Sequence, residues 1–272
     1  MSTHSFRFGV VAGSARSSDE WHATAKRVES MGFTNLLIPD TLHTLSPNIA
    51  AATAAAVTTS LRVGPYVLSA PNRTAGQVAV ETAALATVTD GRYELGIGAG
   101  RHGAESDAAV FGMPFGSAGE RIRQVVDTIA AVRERSPGTR ILMAGSGPKV
   151  LRTAGELADT VAIGLPPQAD ENALADAVAK VRDGAGDRFD DVELSLNLFA
   201  VGGRVPAFAL QAMGVDLDGL RAAGSVSLLD GTVDEMVAEV ERRRERHGLS
   251  FLATNVDAAE ALAPVAERLT GR

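Results

Sequence analysis

The chain alternates short apolar runs, rich in Val, Ile and Leu, with longer amphipathic stretches, and the alternation repeats eight times. This pattern predicts repeated βα units around a parallel sheet. Most of the runs are apolar throughout, as expected of strands that are covered by helices on one face and by packed side chains on the other. The predicted strands are residues 6–12, 35–39, 61–68, 93–98, 140–144, 160–164, 192–201 and 250–254.

Eight βα units favour a closed barrel over an open, doubly wound sheet. An open sheet leaves two edge strands and a crevice at a switch point, whereas eight equal units close on themselves. The 272 residues suit an α/β barrel, and no linker interrupts the alternation. We therefore predict one domain over residues 1–272, an α/β fold of the (β/α)8 TIM barrel type.

Composition excludes several classes of function. The net charge of −7 comes with interspersed acids and bases, so the positive face that nucleic-acid binding needs is absent. The chain has no Cys and no His pair at metal-ligand spacing, which argues against disulfides, Cys nucleophiles and a metal centre. The first residues are polar and the apolar runs are too short to span a bilayer, so we expect a cytoplasmic protein without membrane contact.

Local signals mark several helix boundaries. Ser/Thr-x-x-Glu capping boxes stand at Ser17/Glu20, Ser117/Glu120 and Thr232/Glu235. The helix after Thr232 ends in four arginines, which we interpret as a solvated face at the negative end of the helix dipole: Arg242, Arg243, Arg244 and Arg246.

Residues 202–231 are the main irregularity of the pattern, because they are Gly-rich and longer than an ordinary connection between βα elements. A short extra helix is predicted near residues 217–223. The segment is either a lid over the active-site face or a packing excursion without ligand contact, and the sequence leaves both open.

The segment Ala144-Gly145-Ser146-Gly147-Pro148 follows the fifth predicted strand and opens a helix. Glycines let backbone N–H groups approach an anion, and a helix N-terminus carries partial positive charge, so the pattern suits a phosphate. An ordinary tight βα turn explains it equally at the local level. The glycine-rich run at residues 96–100 has Arg101 where a dinucleotide fingerprint needs its third glycine, and we do not interpret it as one.

Titratable residues that follow barrel strands are candidates for catalysis, because ligands bind over the carboxyl ends of the strands. Asp40 follows an apolar strand and is either a ligand to a polar ring edge or the cap of a turn. His43 and His102 fall on predicted mouth loops, where a histidine is either a proton shuttle or a solvated loop residue. A hydrolase triad is not indicated, because the G-x-S-x-G spacing is missing.

Placed in order on the barrel, four segments resemble the luciferase-like monooxygenase family, which includes bacterial luciferase, flavin-dependent monooxygenases and deazaflavin-dependent dehydrogenases and reductases. The resemblance covers most of the chain. The segments are residues 25–33 (AKRVESMGF), 60–64 (SLRVG), 90–100 (DGRYELGIGAG), and 144–148 (AGSGP) followed by Ala158-Asp159.

The resemblance implies that an isoalloxazine-type ring lies in the barrel mouth. Its phosphate is then held by the 144–148 loop and by backbone around Gly164, and a non-proline cis peptide is expected at Tyr66-Val67 or one bond beyond. The residues implied in cofactor binding are Asp40, Tyr66, Val67, Gly98, Gly100, Arg101, Ala144, Gly145, Ser146, Gly147 and Gly164.

The chain departs from the family pattern at three places. Thr41 stands where many members keep a histidine, so some acid–base chemistry is missing. Arg101 stands where the deazaflavin sugar-phosphate dehydrogenases place a glutamate, and it is a candidate contact for an anionic tail or an acidic substrate. The connection between the fourth and fifth units is shortened, because the predicted helix ends near Arg135 and the next strand begins at Arg140.

The resemblance therefore predicts an oxidoreductase that uses coenzyme F420, an 8-hydroxy-5-deazaflavin, and exchanges a hydride with a small organic substrate. The first alternative is an FMN-dependent monooxygenase supplied by a partner cofactor reductase, and the second is a relative that binds the cofactor without turnover. A phosphate-dependent isomerase or aldolase is disfavoured, because the lysines fall on predicted helices and none suits a Schiff base. A homodimer is expected.

Overall fold

A computed structural model of the chain describes residues 4–101, 103–206 and 214–272. Short apolar segments form strands where the sequence predicts them. The strands are β1 (Arg7–Val11), β2 (Asn35–Ile38), β3 (Arg62–Pro65), β4 (Leu68–Ser69), β5 (Leu95–Gly98), β6 (Ile141–Gly145), β7 (Thr160–Ile163), β8 (Glu193–Leu198), β9 (Ala200–Val201), β10 (Leu228–Leu229) and β11 (Leu249–Asn255).

Nine of these strands form one parallel sheet in the order β3, β2, β1, β11, β8, β7, β6, β5, β4. The two end strands, β3 and β4, are halves of one barrel strand that is interrupted at a cis peptide between Tyr66 and Val67. Val63 in the first half pairs with Tyr93, and the second half pairs with β5. The sheet thus closes on itself with eight strand positions, and the predicted (β/α)8 barrel is confirmed.

The seam between the two halves of this strand and β5 depends on glycines. A Cβ atom on Gly64 would lie 2.0 Å from the Glu94 carbonyl oxygen, and one on Gly96 would lie 2.1 Å from the Pro65 carbonyl oxygen. A Cβ atom on Gly98 would lie 2.9 Å from a methyl group of Val67. Close packing at this seam therefore explains why Gly96 and Gly98, the first two glycines of the run at residues 96–100, have no side chain.

We expect Gly96→Ala to destabilise the protein by about 3 kcal/mol, because the added methyl group meets backbone that cannot move without opening the seam. Urea denaturation measures the change. Gly119→Ala is the matched control, since the nearest atom there is 3.8 Å from the new Cβ and alanine favours the helix. Equal stability of the two variants would contradict this explanation of the seam.

The helices cover the outside of the barrel. They are α1 (Ser18–Ser30), α2 (Pro47–Ala56), α3 (Ala75–Val88), α4 (Ala104–Val110), α5 (Ala118–Arg135), α6 (Pro148–Leu157), α7 (Glu171–Ala185), α8 (Leu217–Ala222), α9 (Val233–His247) and α10 (Ala259–Leu269). Within the described ranges, none is both long and apolar enough to cross a membrane.

Two of the three predicted capping boxes are complete, at Ser117/Glu120 and Thr232/Glu235. At the third, the Ser17 hydroxyl accepts from the Glu20 N–H, but the Glu20 carboxylate bonds to Arg16. Residues 136–140 alone join α5 to β6, so the predicted short connection between units four and five is confirmed.

The segment after β8 has a small hydrophobic core of its own, which includes Ala200, Val215 and Leu220. It contains the predicted short helix as α8. The prediction that Arg243 is solvated is wrong: its side chain is buried and donates to the carbonyl oxygens of Val226 and Leu228. The guanidinium also donates to Glu239 of α9, so it links this helix to the segment, a contact that sequence periodicity does not reveal.

A charged network, which we call the barrel floor, fills the interior at the amino ends of the strands. The Arg7 guanidinium donates to Glu94 at 2.6 Å and to Glu193 at 2.9 Å, and Arg62 donates to Glu94. Burial raises the pKa of Glu94, but the positive charges of Arg7 and Arg62 outweigh burial and hold that pKa below its usual range. The network therefore favours the ionised form of Glu94 inside the barrel.

Glu29 joins α1 to the turn before β3, because its carboxylate accepts N–H groups from Thr59, Ser60 and Leu61. Burial raises the pKa of Glu29, but these hydrogen bonds outweigh burial and lower it to about 2. A carboxyl whose pKa is lowered on folding stabilises the protein above its unfolded pKa, and that stabilisation is lost as the pH falls towards the folded pKa.

We therefore expect Glu29→Gln to cost about 1 to 2 kcal/mol at pH 6, after allowance for solvent screening. The difference between variant and parent should shrink between pH 4.5 and about 2. Denaturation curves across this pH range provide the measurement, with the exposed Glu267→Gln as control. A difference that does not change with pH would contradict the assignment.

Candidate active site at the barrel mouth

A cavity of about 340 Å³, which we call the mouth cavity, opens over the carboxyl ends of the strands. Barrel geometry brings together loops that are distant in sequence, and ten of the eleven residues predicted to bind a cofactor line this cavity. Gly147 lies next to it, at the start of α6. The ten lining residues are Asp40, Tyr66, Val67, Gly98, Gly100, Arg101, Ala144, Gly145, Ser146 and Gly164.

The loop between β6 and α6 has the features of an anion site. A Cβ atom on Gly145 would lie 2.1 Å from a methyl group of Val150, and the Gly164 N–H bonds to the Gly145 carbonyl oxygen at 2.8 Å. Gly147 is the N-cap of α6 and offers no side chain to the free N–H groups of the first turn. No described atom lies within 4 Å of a Cβ built on Gly147, so the space in front of the helix is open.

Asp40 is buried at the edge of the mouth cavity, and both of its oxygens are used by donors. Arg73 binds them at 2.6 and 3.0 Å, and the Ser69 N–H donates to one of them at 2.9 Å. The carboxylate therefore fixes the loop after β4, and its hydrogen bonds favour a positioning role over proton transfer. The sequence gives no signal for Arg73, which lies 33 residues after Asp40.

Tyr66 stands at the cis peptide, with its hydroxyl beside Ser195. Burial raises the pKa of Tyr66 to about 12, so the hydroxyl keeps its proton at neutral pH. It is available as a hydrogen-bond donor and not as a base.

Two histidines, His43 and His102, were predicted to lie on the loops at the barrel mouth. His43 is exposed on the turn after β2, where its N–H bonds to Thr41 Oγ1, and it does not line the mouth cavity, so its position does not support the predicted catalytic role. Thr41 lines the cavity instead. His102 lies outside the described residues. Arg101 lies at the rim and pairs with Asp107 at 2.6 Å.

A second cavity of about 240 Å³ adjoins the first and shares Tyr66, Val67, Ala144 and Gly164 with it. Two buried polar atoms without a hydrogen-bond partner among the described residues belong to residues that line these cavities: Ser69 Oγ at the mouth cavity and Asn197 Oδ1 at the second cavity. Such atoms are rare in folded proteins and mark places where a ligand or water supplies the partner.

Apart from the four shared residues, sequence reasoning missed the residues of this second cavity. Asn197 gave a usable signal, because β8 alternates polar and apolar residues and Asn197 lies on its polar face with Glu193 and Ser195. Phe199 and Ser227 gave none, since they reach the cavity from the two ends of the segment that returns to the barrel after β8. The segment therefore contacts the candidate site through its ends.

Solved structures with the same fold share little sequence with this chain. The coenzyme F420-dependent tetrahydromethanopterin reductase of Methanopyrus kandleri is 17% identical, with a TM-score of 0.74 over 98% of this chain and 99% of that chain. An F420-dependent secondary alcohol dehydrogenase in complex with an F420-acetone adduct is 17% identical, with a TM-score of 0.76 over 96% and 99%.

A type II Baeyer-Villiger monooxygenase from Pseudomonas putida, the oxygenating constituent of 3,6-diketocamphane monooxygenase in complex with FMN, is 15% identical, with a TM-score of 0.74 over 98% of both chains. These likenesses establish the fold. The model of one family, described as luciferase-like monooxygenase, matches residues 2–269, which is nearly the whole chain. The chain is therefore a member of the luciferase-like monooxygenase family.

Proposed function

We propose that this protein is an F420-dependent oxidoreductase that exchanges a hydride between the deazaflavin and a small organic substrate. The observation that supports it best is the mouth cavity, where the glycine loop before α6, Gly164 and the wall formed by Tyr66 and Val67 face one space. Fold and family support redox chemistry: the family is described as luciferase-like monooxygenase, and solved structures with this fold include two F420-dependent enzymes and one in complex with FMN.

The residues present fit a flavin-type cofactor. The open N-terminus of α6 would hold the phosphate through the backbone of Ser146 and Gly147. Val67 and Ala144 supply apolar walls for a planar ring, and the unpartnered Ser69 hydroxyl is placed to bond to its polar edge. When bound, the deazaflavin supplies the hydride chemistry, while these side chains orient the ring and keep water away from it.

Titration of the purified protein with F420 and with FMN, followed by absorbance and fluorescence, tests this proposal. We expect submicromolar binding of F420 and no binding of FMN. Binding of FMN alone would favour the monooxygenase, and binding of neither would overturn both. Reoxidation of the reduced cofactor by ketones, imines or enones then separates an enzyme from a non-catalytic binder, which would show no reoxidation across the panel.

We also propose that two copies of the chain associate through α2 and α3. Both helices are rich in Ala and Val, and their exposed residues include the apolar Ile49, Val80 and Val88. α2 has no charged side chain and α3 has only Glu81, so like-charge repulsion between two copies of this surface is limited to this one residue.

We expect the protein to run as a dimer in light scattering and Val80→Lys to run as a monomer. The exposed Ala175→Lys on α7 is the control and should stay dimeric. A monomeric parent protein would overturn this association.

A further inference from the structure

The second cavity differs in chemistry from the mouth cavity that it adjoins. Its walls are mainly apolar, with Ile163, Leu165, Leu196 and Phe199 among them. No Lys, Arg, His, Asp or Glu side chain of the described residues lines it. A charged group that entered this space would lose its hydration without gaining a partner, so the cavity selects for a neutral molecule.

Of the three residues with polar side chains that line this cavity, Tyr66, Asn197 and Ser227, only Asn197 has a buried side-chain atom without a hydrogen-bond partner among the described residues. Its Oδ1 atom is buried and has no hydrogen-bond partner among the described residues, and the side chain lies on the same face of β8 as the Ser195 hydroxyl. A carboxamide both donates through Nδ2 and accepts through Oδ1. It therefore bonds equally well to a carbonyl oxygen and to a hydroxyl group.

We infer that the second cavity holds the organic substrate of the proposed reaction, and that this substrate is a small, neutral, mainly apolar molecule with one carbonyl or alcohol group bound to Asn197. This inference rests on the proposed function for its reaction but not for its binding site. The volume of about 240 Å³ lies below the range of about 300 to 1,000 Å³ that is usual for drug-sized ligands.

The carbonyl and the alcohol are the two oxidation states of one substrate. In the reducing direction, a bound reduced deazaflavin would supply a hydride to the carbonyl carbon, the π electron pair would move to oxygen, and this oxygen would take a proton from water. The hydroxide left behind would take up the proton that the ring loses on oxidation, so the products would be the alcohol and the oxidised deazaflavin. Asn197 donates to the carbonyl oxygen of one state and accepts from the hydroxyl of the other. One amide thus serves substrate and product.

Binding of three probes that differ only in their polar group tests the inference: cyclohexanone, cyclohexanol and cyclohexanecarboxylate. Ligand-observed NMR measures each Kd with the full chain, both free of cofactor and with F420 added. We expect the ketone and the alcohol to bind and the carboxylate not to bind. Stronger binding of the carboxylate than of the ketone would overturn the assignment.

Substitutions of Asn197 test its role in binding more directly than the choice of probe does. Asn197→Leu should weaken binding of ketone and alcohol by about three- to tenfold, the usual effect of one lost hydrogen bond. Asn197→Asp keeps the size of the side chain, but an ionised aspartate cannot donate a hydrogen bond. This substitution should therefore weaken binding of the ketone more than binding of the alcohol. Asn172→Leu, an exposed asparagine of α7, is the control and should leave both Kd values unchanged. Kd values for Asn197→Leu equal to those of the parent would overturn the role of Asn197.

The two proposals fail in different ways. If the protein binds F420 but neither ketone nor alcohol, the substrate assignment is overturned and the redox function stands. If it binds the ketone through Asn197 but takes up no cofactor, the redox function is overturned and the binding site stands. Thermal melting of each Asn197 variant shows whether the fold is kept.

Discussion

Replacing Gly147 by aspartate is expected to weaken cofactor binding by about a hundredfold or more while slightly stabilising the fold. Aspartate is a preferred N-cap residue and its charge suits the positive end of α6, so the helix should gain about 0.5 to 1 kcal/mol. The same carboxylate would stand where the proposed phosphate lies, and like charges brought together cost several kcal/mol. The two effects have opposite signs, which a general loss of structure cannot produce.

Fluorescence titration with F420 and urea denaturation measure the two effects separately. Gly138→Asp is the matched control, because it adds the same charge at the other end of β6, where a new Cβ also meets open space. We expect this control to bind the cofactor like the parent. If Gly147→Asp retains the parent affinity, the phosphate does not lie at α6.

Glu94→Gln is expected to destabilise the protein by about 3 to 5 kcal/mol. The substitution keeps the shape of the side chain but removes one of the two acidic charges of the barrel floor, and it leaves the Arg7 guanidinium with Glu193 as its remaining carboxylate partner. Breaking a buried ion pair costs this much because the remaining charge has lost its hydration and is no longer fully compensated.

Urea midpoints give the change in the free energy of unfolding. Asp234→Asn removes an acid that pairs with Arg268 on the surface, and it should cost less than about 1 kcal/mol. Adding Arg62→Met to Glu94→Gln should recover part of the loss, since it removes an uncompensated charge. If Glu94→Gln lowers the free energy of unfolding by less than about 1 kcal/mol, water must reach the barrel floor and the prediction is contradicted.

The barrel itself was predictable because strand and helix periods recur along the whole chain. The interruption of the third strand was not, since residues 61–68 form one unbroken run in the sequence while the fold divides them at Tyr66-Val67. The cis peptide was located by family resemblance alone. The barrel floor was also missed, although a polar residue stands at or next to the start of several apolar strands, as at Arg7, Asn35, Glu94 and Glu193.

The walls of the mouth cavity were predicted better than the groups that do chemistry. Rules for parallel barrels place the carboxyl ends of strands at the mouth, and this locates Gly145 and Gly164 without any knowledge of side chains. They do not show that Arg73 occupies the Asp40 carboxylate or that the turn after β2 leaves His43 exposed. These outcomes depend on rotamers and on pairs distant in sequence.

Val67 and Gly98 are in close contact, so paired substitutions at these two positions should change the shape of the pocket while the strands keep their positions. Val67 borders both cavities, and its methyl group limits the size of residue 98 on the neighbouring strand. In a Val67→Ala, Gly98→Ala pair, residue 67 loses two carbon atoms and residue 98 gains one, so part of the cavity wall moves from one strand to the other at a net loss of about one methylene group. Relatives that accept substrates of other shapes should show correlated changes at these two positions.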